Sequence, residues 1–396
     1  FAVIKVFPKT VSDLNSLEKI RRNIRDVDFW SEPNKLLSPL LFNVSPHSKN
    51  ATLNLLNEAK LNFTTETEDF GEWVKADHQY AFQSMAEDVN FDSIDFERYY
   101  PYDKIVQILK HFERKYPSTA KYFSLGTTFE NNDIPILVVD SNANYRKAAI
   151  VFECGIHARE WIAPASCLWF INELLTTDKG KKLLDAHSFH FVVTLNPDGY
   201  IHSWTTNRVW RKNRSPNNVE NIWFDCSGVD LNRNFDARFK KDISYKANNY
   251  CSETYHGTSA FSEKETQAMS NYVLEVSKKS GIDIYFSIHS FAQLLLHPYG
   301  YAKNVPIISD DYKTMAKSFA NAVYNTFGEV YRTGSIKGIL YSAYGNSIDW
   351  VEENKLSKFS VCIELRDKGT HGFRLPPYLI KPTSIEVWNG INAMLE

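Results

Sequence analysis

The 396-residue sequence contains no long apolar run and no block of basic residues. No stretch approaches the roughly 20 apolar residues that a membrane span requires, so we expect no membrane partner. The formal net charge of −2 and the absence of a basic stripe argue against nucleic-acid binding. Internal repeats and low-complexity segments are also lacking. Hydrophobic residues make up 43% of the chain, which is enough for a substantial folded core.

The chain begins at Phe1, with neither an initiator methionine nor a signal-like apolar segment. We therefore expect a processed form that has lost a secretory leader. Four glycosylation triplets begin at Asn43, Asn50, Asn62 and Asn213, and they agree with this expectation. Together these features predict a secreted, extracellular glycoprotein.

Cysteine is scarce, and its count of five is odd, so at least one cysteine has no partner within the chain. Oxidising surroundings would allow a Cys154–Cys167 bridge and a Cys226–Cys251 bridge, leaving Cys362 as a buried thiol beside Glu364. Five reduced cysteines in a cytosolic enzyme are the alternative.

The sequence pattern of residues 1–70 predicts a small α+β domain. The pattern indicates, in order, a strand at Phe1–Phe7, a helix at Val11–Arg25, strands at Asp26–Trp30 and Leu37–Val44, a helix at Lys49–Ala59 and a strand at Lys60–Thr65. This βαββαβ order is typical of the ferredoxin-like fold.

Residues 71–95 predict a connecting segment, rich in acidic, aromatic and amide residues, that could form a helix. Lysine and arginine are absent between Lys75 and Arg98.

From residue 96 to 396, helical and strand patterns alternate. Helices are expected at Tyr102–Arg114, Pro164–Leu175, Lys264–Lys279, Asp310–Phe327 and Ser384–Leu395, and strands at Ile134–Val139, Ala148–Phe152, Phe189–Leu195, Ile282–Ser287 and Phe359–Glu364. The alternation predicts an α/β domain whose sheet is covered by helices on both faces.

His157 and Glu160 lie three residues apart, just after the apolar run Ala148–Phe152, and His289 lies far downstream. Two ligands from one turn and a third from a distant strand are a common way to build a catalytic zinc site, since three protein ligands leave one position open. A His and a Glu at this spacing also recur by chance, so the pair alone is a weak signal.

Several longer motifs strengthen this interpretation. They are Gly155-Ile-His-Ala-Arg-Glu-Trp161, Val209-Trp-Arg-Lys-Asn-Arg214, Gly228-Val-Asp-Leu-Asn-Arg-Asn234, Cys251-Ser-Glu-Thr-Tyr-His-Gly257, Ser287-Ile-His-Ser290 and Glu364-Leu-Arg-Asp367. With them, the chain from about residue 95 onward resembles a zinc carboxypeptidase of the A/B family, which implies an α/β fold with a mixed central sheet flanked by helices. The N-terminal part resembles the activation domain of that family, so the whole chain looks like a precursor.

The resemblance implies one Zn²⁺ per chain, held by His157, Glu160 and His289. Asp230 would support His157 by accepting its free ring proton. Glu364 would act as general base, although an ion pair with Arg366 is the alternative role for this carboxylate.

Other residues are implied to contact the substrate or the charge that develops on it. Arg211 would stabilise the oxyanion. The free C-terminal carboxylate would be bound by Asn232, Arg233 and Tyr341, the last from a mobile loop, with accessory subsite contacts from Arg159, Arg208, Phe291 and Phe373. Phe291 stands where vertebrate A-type enzymes often have tyrosine, and the lost hydroxyl could alter subsite contacts.

Specificity is implied to depend on Ile348, at the position that receives the C-terminal side chain. Ile336, Leu296 and Cys362 match other wall positions, and all four are uncharged. An isoleucine cannot pair with a cation, so aliphatic or aromatic C-terminal residues are expected. The Cys154–Cys167 pair, by contrast, matches a bridge of B-type and some A-type relatives.

The resulting prediction is a secreted, monomeric zymogen that acts on peptide or protein C-termini, in a digestive lumen. Its expected partners are an activating protease and proteinaceous carboxypeptidase inhibitors. Relatives are typically activated by tryptic cleavage in the connecting segment, whereas here only Lys75, Arg98 or a protease of another specificity is available. A B-type or broad-specificity enzyme, a regulatory processing enzyme and a catalytically dead peptide-binding homologue remain as alternatives.

Overall fold

The computed structural model describes residues 1–24, 27–30, 39–141, 147–217, 225–242, 247–301 and 309–396. The predicted helix end at Arg25 and the predicted strand starts at Asp26 and Leu37 lie outside the described residues.

The N-terminal residues form a four-stranded antiparallel sheet in the order β2-β3-β1-β4. Its elements are β1 (Ala2–Val6), α1 (Val11–Asn23), β2 (Val27–Phe29), β3 (Leu40–Val44), α2 (Pro46–Glu58) and β4 (Phe63–Thr67). The predicted βαββαβ order and ferredoxin-like topology are confirmed.

Local signals explain where the first two helices begin. Thr10 and Asp13 form a reciprocal capping box at the start of α1. Ser45 caps α2, and Pro46 occupies its first turn, where a missing N–H is not needed. Leu17 and Ile20 then bury the inner face of α1 in the core of this small sheet.

A long helix, α3 (Phe70–Ala86), connects the small domain to the rest of the chain. The larger domain then contains α4 (Tyr102–Lys115), β5 (Ala120–Thr127), β6 (Asp133–Val139), β7 (Ala149–Cys154), α5 (Ile162–Thr176), α6 (Asp178–Ala186), β8 (Ser188–Val192), α7 (Pro197–Thr205), α8 (Lys264–Lys279), β9 (Ile282–Ser290), β10 (Leu294–His297), α9 (Asp310–Phe327), β11 (Arg332–Ser335), α10 (Ile336–Ile339), α11 (Ser347–Glu353), β12 (Phe359–Leu365) and α12 (Ile380–Leu395).

The large sheet has eight strands in the order β11-β10-β12-β9-β7-β8-β6-β5. Its central strands β8, β7, β9 and β12 run parallel, and the outer pairings include antiparallel ones, so the sheet is mixed as predicted. Strand β7 is buried on both faces, because Ile150 and Phe152 face one apolar cluster while Ala149 and Val151 face the other. This two-sided burial explains its continuous apolar sequence.

The sequence pattern did not reveal several elements, most of them short. β5, α6, α7, β10, β11, α10 and α11 were not predicted, and α12 begins at Ile380 rather than Ser384. Among the described residues, no helix is long and apolar enough to cross a membrane.

The four glycosylation triplets differ in accessibility. Asn50 and Asn62 are exposed. Asn43 is buried and accepts a hydrogen bond from the Trp30 indole, and Asn213 is fully buried against Glu263. Glycans at Asn43 and Asn213 are therefore incompatible with this fold.

Candidate active site

The candidate site forms where β7 ends. Gly155 has φ +65°, and a Cβ there would lie 3.2 Å from the Val193 carbonyl oxygen, so the sharp turn at this point requires glycine. The turn carries His157 and Glu160 before α5 begins, and all the side chains of residues 155–160 are buried. The Cys154–Cys167 disulfide joins β7 to α5 across this turn.

His157, Glu160 and His289 come together as one buried cluster, with ligand atoms all within 4.8 Å of one another. Glu160 Oε1 lies 2.8 Å from His157 Nδ1, and Glu160 Oε2 lies 3.0 Å from His289 Nδ1. The two Nδ1 atoms are themselves 3.1 Å apart. His289 reaches this position from the carboxyl end of β9, where ligand sites of parallel sheets commonly lie.

Hydrogen bonds on the far side of each ring fix the imidazoles. His157 Nε2 lies 3.1 Å from Asp230 Oδ1, and His289 Nε2 lies 2.8 Å from the Ser287 hydroxyl. A ring proton shared with Asp230 leaves the lone pair of His157 Nδ1 directed at the cluster.

The charges of the cluster suit a bound cation. Burial would raise the pKa of Glu160, but His157 and His289 together hold it below its usual value. Burial lowers the pKa of His157, whereas the Glu160 carboxylate raises the pKa of His289 despite its burial. The pocket thus favours neutral His157 and ionised Glu160, and it attracts positive charge. Two imidazoles and a carboxylate are the donors of many catalytic zinc sites, so the residues fit zinc.

Glu364 lies beside this cluster, because β12 and β9 pair in a register that places Glu364 opposite His289. Its carboxylate lines the same cavity. Burial raises the pKa of Glu364 to about 7, with the nearby Glu160 adding to the effect and His289 opposing it. Arg366 does not pair with it: the Arg366 guanidinium Nε donates to Glu386 at 2.8 Å.

Arg211 is held on the other side of the cluster. Its Nε and Nη2 donate to Asp230 Oδ2 at 3.0 and 2.8 Å, and its Nη1 lies 3.3 Å from His157 Nδ1. Asp230 therefore holds both His157 and Arg211, and Arg211 is the largest cause that keeps the pKa of Asp230 well below its ordinary value despite burial.

Asn232, Arg233 and Tyr341 also meet at this cavity. Arg233 Nη2 donates to the Tyr341 hydroxyl at 3.0 Å, and the Asn232 amide accepts from the Ser347 backbone at 2.9 Å. A guanidinium, an amide and a phenol in one place can bind a carboxylate through several hydrogen bonds.

An apolar region extends from these polar groups. Leu296, Ile336 and Cys362 line the cavity. Ile348 packs in one apolar cluster with these three residues and is 2% exposed, but it is not among the residues that line the described cavity. Ile339, Leu340 and Ala343 add to the lining. Cys362 is a free, buried thiol, while Cys226 and Cys251 form the second disulfide.

Of the remaining predicted subsite residues, three line the cavity and one does not. Arg159, Phe291 and Phe373 line the cavity. Arg208 is buried in its wall, with its guanidinium 3.7 Å from the centre of the Trp161 ring and Nη1 donating to the Arg159 carbonyl oxygen at 2.9 Å. The structure therefore does not bring Arg208 to the described cavity surface.

Sequence reasoning missed Glu153, which is fully buried below the ligand cluster. It accepts from the hydroxyl groups of Ser287 and Tyr285, each at 2.6 Å, and from Ser347 at 3.1 Å. Ser287 in turn contacts His289. A charged residue inside the otherwise apolar β7 was the available signal, because a buried carboxylate needs several partners.

The small domain covers the mouth of the cavity, which has a volume of about 1280 Å³ and is lined by both domains. Asp28 Oδ2 lies 3.5 Å from Arg159 Nη1. Trp30 packs in an apolar cluster with Phe373 and Val209, and Phe291 lies against this cluster. The N-terminal residues thus occupy the space between the ligand cluster and solvent.

Comparison with known proteins matches both parts of the chain. The zinc carboxypeptidase family matches residues 105–390, and the carboxypeptidase activation peptide family matches residues 4–77. Human carboxypeptidase O is 38% identical over 312 residues, which cover 78% of this chain and 81% of that protein. Human mast cell carboxypeptidase A is 33% identical over 392 residues, which cover 97% of this chain and 90% of that protein.

A solved structure of thrombin activatable fibrinolysis inhibitor has a TM-score of 0.84 and 28% identity, covering 99% of this chain and 97% of that chain. The chain belongs to the zinc carboxypeptidase family, whose members hold one Zn²⁺, and it carries the activation peptide of a procarboxypeptidase.

Proposed function

We propose that the protein is the secreted, monomeric zymogen of an A-type carboxypeptidase that removes aliphatic or aromatic residues from the C-termini of peptides and proteins. Residues 1–70 would be the activation domain, 71–95 the connecting segment and 96–396 the catalytic domain. The observation that carries the proposal is the convergence of the His157–Glu160–His289 cluster, Glu364 and Arg233 on one cavity with an apolar end.

Zinc would be held by His157, Glu160 and His289, and when bound it supplies Lewis acidity towards the scissile carbonyl and water. Glu364 takes a proton from the attacking water and passes it to the leaving amine. Burial raises the pKa of this carboxyl group, and a bound dication would lower it, which favours the ionised form that accepts the proton. Arg211, held in place by Asp230, donates to the oxyanion that forms only in the transition state.

Arg233, Asn232 and Tyr341 bind the free terminal carboxylate and so make the enzyme an exopeptidase. The last peptide bond is thereby positioned at the ligand cluster, which converts binding energy into orientation. Arg159, Phe291 and Phe373 contact residues further along the substrate, whereas Arg208 supports that wall from behind.

The apolar end of the cavity favours uncharged side chains. A substrate lysine or arginine would lose its hydration beside Leu296 and Ile336, which pack in one apolar cluster with Ile348, without gaining a carboxylate partner, and this argues against B-type activity. The relatives do not decide the subtype, since they are named as A, B and O types. The complete set of ligands, base and carboxylate-binding residues argues against a catalytically dead homologue.

Latency follows from the small domain, whose Asp28 and Trp30 occupy the cavity mouth. Secretion is supported by the two disulfides and by exposed triplets at Asn50 and Asn62. Action in a digestive lumen and capture by proteinaceous carboxypeptidase inhibitors belong to the same proposal.

Removing a ligand tests the zinc site. His157→Ala should reduce the zinc content of the purified chain from one ion to near zero, because two ligands remain. Asp230→Asn should lower zinc affinity by roughly 10- to 100-fold. Zinc is measured by mass spectrometry after dialysis, with exposed His47→Ala as control. Full zinc content in His157→Ala would contradict the ligand assignment.

Replacing the base tests the chemistry. In the cleaved enzyme, Glu364→Gln should lower kcat by roughly 10²- to 10⁴-fold while zinc content is unchanged, since the amide cannot accept the proton. Exposed Glu275→Gln is the matched control. A kcat within a factor of about two of the parent enzyme would exclude Glu364 as base.

Peptides that end in Phe, Leu, Arg or Glu test the specificity. The cleaved enzyme should release Phe and Leu, and a chelator should abolish release. Ile348→Asp should lower kcat/KM for the Phe peptide by at least about tenfold and raise it for Arg. Ile348→Val and exposed Leu274→Asp serve as controls, with melting temperatures measured for all. Preferential Arg release by the parent enzyme would contradict the A-type proposal.

Latency is tested on the intact chain. Asp28→Ala removes the ionic contact between the small domain and Arg159 and should raise the activity of the uncleaved protein several-fold, while activity after cleavage stays the same. Glu58→Ala, at an exposed position of the same domain, should change neither value. Equal activity before and after cleavage of the parent chain would disprove the zymogen.

A further inference from the structure

The junction between α3 and α4 lacks accessible sites for a trypsin-like protease. Only Lys75 and Arg98 border this stretch, and no lysine or arginine lies between them. Because a protease must draw several residues into an extended conformation in its own cleft, the local structure at each residue decides whether it can be cut.

Arg98 is held by several contacts. Its Nη2 donates to the Ser84 carbonyl oxygen at 2.7 Å, and its Nη1 lies 2.7 Å from a Glu87 carboxylate oxygen. The two residues after the bond, Tyr99 and Tyr100, are each 4% exposed. Cleavage after Arg98 would therefore require these contacts and the buried tyrosines to be released first.

Lys75 is exposed but lies within α3. The backbone hydrogen bonds of the helix keep the peptide bond after Lys75 out of the extended conformation that a protease requires. This half of the helix is also docked to the catalytic domain. Arg374 donates to both carboxylate oxygens of Asp77, at 2.7 and 2.9 Å, and stacks on Trp73. Opening the helix at Lys75 would break this contact.

The last turn of α3 presents two large apolar side chains on its outer side. Phe82 is 74% exposed and Met85 is 43% exposed, although large apolar side chains usually avoid solvent. The helix ends at Ala86 without a basic residue in its last turn, and Glu87 and Asp88 follow directly. Helix ends fray, and a carboxylate at this end opposes the helix dipole, which lowers the cost of opening the last turn. The inner side of the turn is docked, because Ala81 and Ser84 are 2% and 4% exposed and the Ser84 carbonyl oxygen accepts from Arg98, so a cut here also has to release these contacts.

We propose that the precursor is processed in the last turn of α3, after Phe82 or Met85, by an endopeptidase that accepts a large apolar side chain before the scissile bond. Water supplies a hydroxyl group to the carbonyl carbon of that residue and a proton to the nitrogen of Gln83 or Ala86. This inference rests on the proposed zymogen function, because it names the class of protease that would activate it.

The chain that follows the cut is already anchored to the catalytic domain. Asp88 pairs with Lys104 at 3.3 Å, Val89 is buried in the main core, and Phe91 stacks on His111 with ring centres 4.8 Å apart. The new N-terminus would therefore stay in place while the segment before it is released.

The test is limited proteolysis of the full chain by chymotrypsin and by trypsin, at matched activity, with fragments identified by intact mass and N-terminal sequencing. Chymotrypsin should create a new terminus at Gln83 or Ala86, and trypsin should leave residues 76–98 uncut over the same time. Tryptic cleavage after Arg98 at an equal or faster rate would overturn the proposal, as would earlier chymotryptic cleavage elsewhere.

Variants sharpen this result. In a chain that carries both Phe82→Ser and Met85→Ser, the rate of chymotryptic cleavage should fall by at least about tenfold. Phe129→Ser, a control at a residue 50% exposed in the catalytic domain, should not change the rate. Met85→Arg should make the junction sensitive to trypsin, and persistent trypsin resistance in this variant would overturn the claim that the turn is accessible.

The fragment masses test the processing site, and the peptidase activity of the fragments tests the proposed zymogen function. Cleavage at Gln83 or Ala86 that yields no peptidase activity supports the site and counts against the proposed zymogen. Activation by tryptic cleavage after Arg98 supports the zymogen and overturns the site.

Discussion

The mutual approach of three buried ligand groups is the constraint on which the rest of the catalytic domain depends. His157 Nδ1 and His289 Nδ1 lie 3.1 Å apart, with the Glu160 carboxylate in contact with both. Such a set of acceptors is costly to bury unless a cation joins them. The parallel pairing of β7, β9 and β12 brings the ligands and Glu364 to one end of the sheet, and the hydrogen bonds of Asp230 and Ser287 orient the two rings.

The same geometry explains how the small N-terminal domain can keep substrate away from the ligand cluster of the catalytic domain. The reactive groups lie at the bottom of a cavity whose mouth is lined by Asp28 and Trp30, so access is blocked without distortion of the ligand cluster. The connecting helix adds a second attachment through Asp77 and Arg374. In the proposed zymogen, release of the catalytic domain would depend on where α3 is cut.

Much of this arrangement could be predicted from the sequence. The ferredoxin-like order and the two helices Lys264–Lys279 and Asp310–Phe327 follow from apolar periodicity. The mixed strand directions of the large sheet and the metal ligands required the family motifs. Short elements such as β10 and α11 were missed because tertiary contacts, rather than local periodicity, define them. The buried position of Arg208 and the role of Glu153 below His289 depend on long-range packing, which the sequence pattern does not report.

The most direct test of the central claim is anomalous diffraction at the zinc absorption edge from crystals of the intact chain. The account predicts a single strong peak between His157 Nδ1, His289 Nδ1 and the Glu160 carboxylate. It also predicts that the peak disappears after soaking with a chelator. A zinc-loaded protein with no peak at this position, or with its peak at other side chains, would contradict the account.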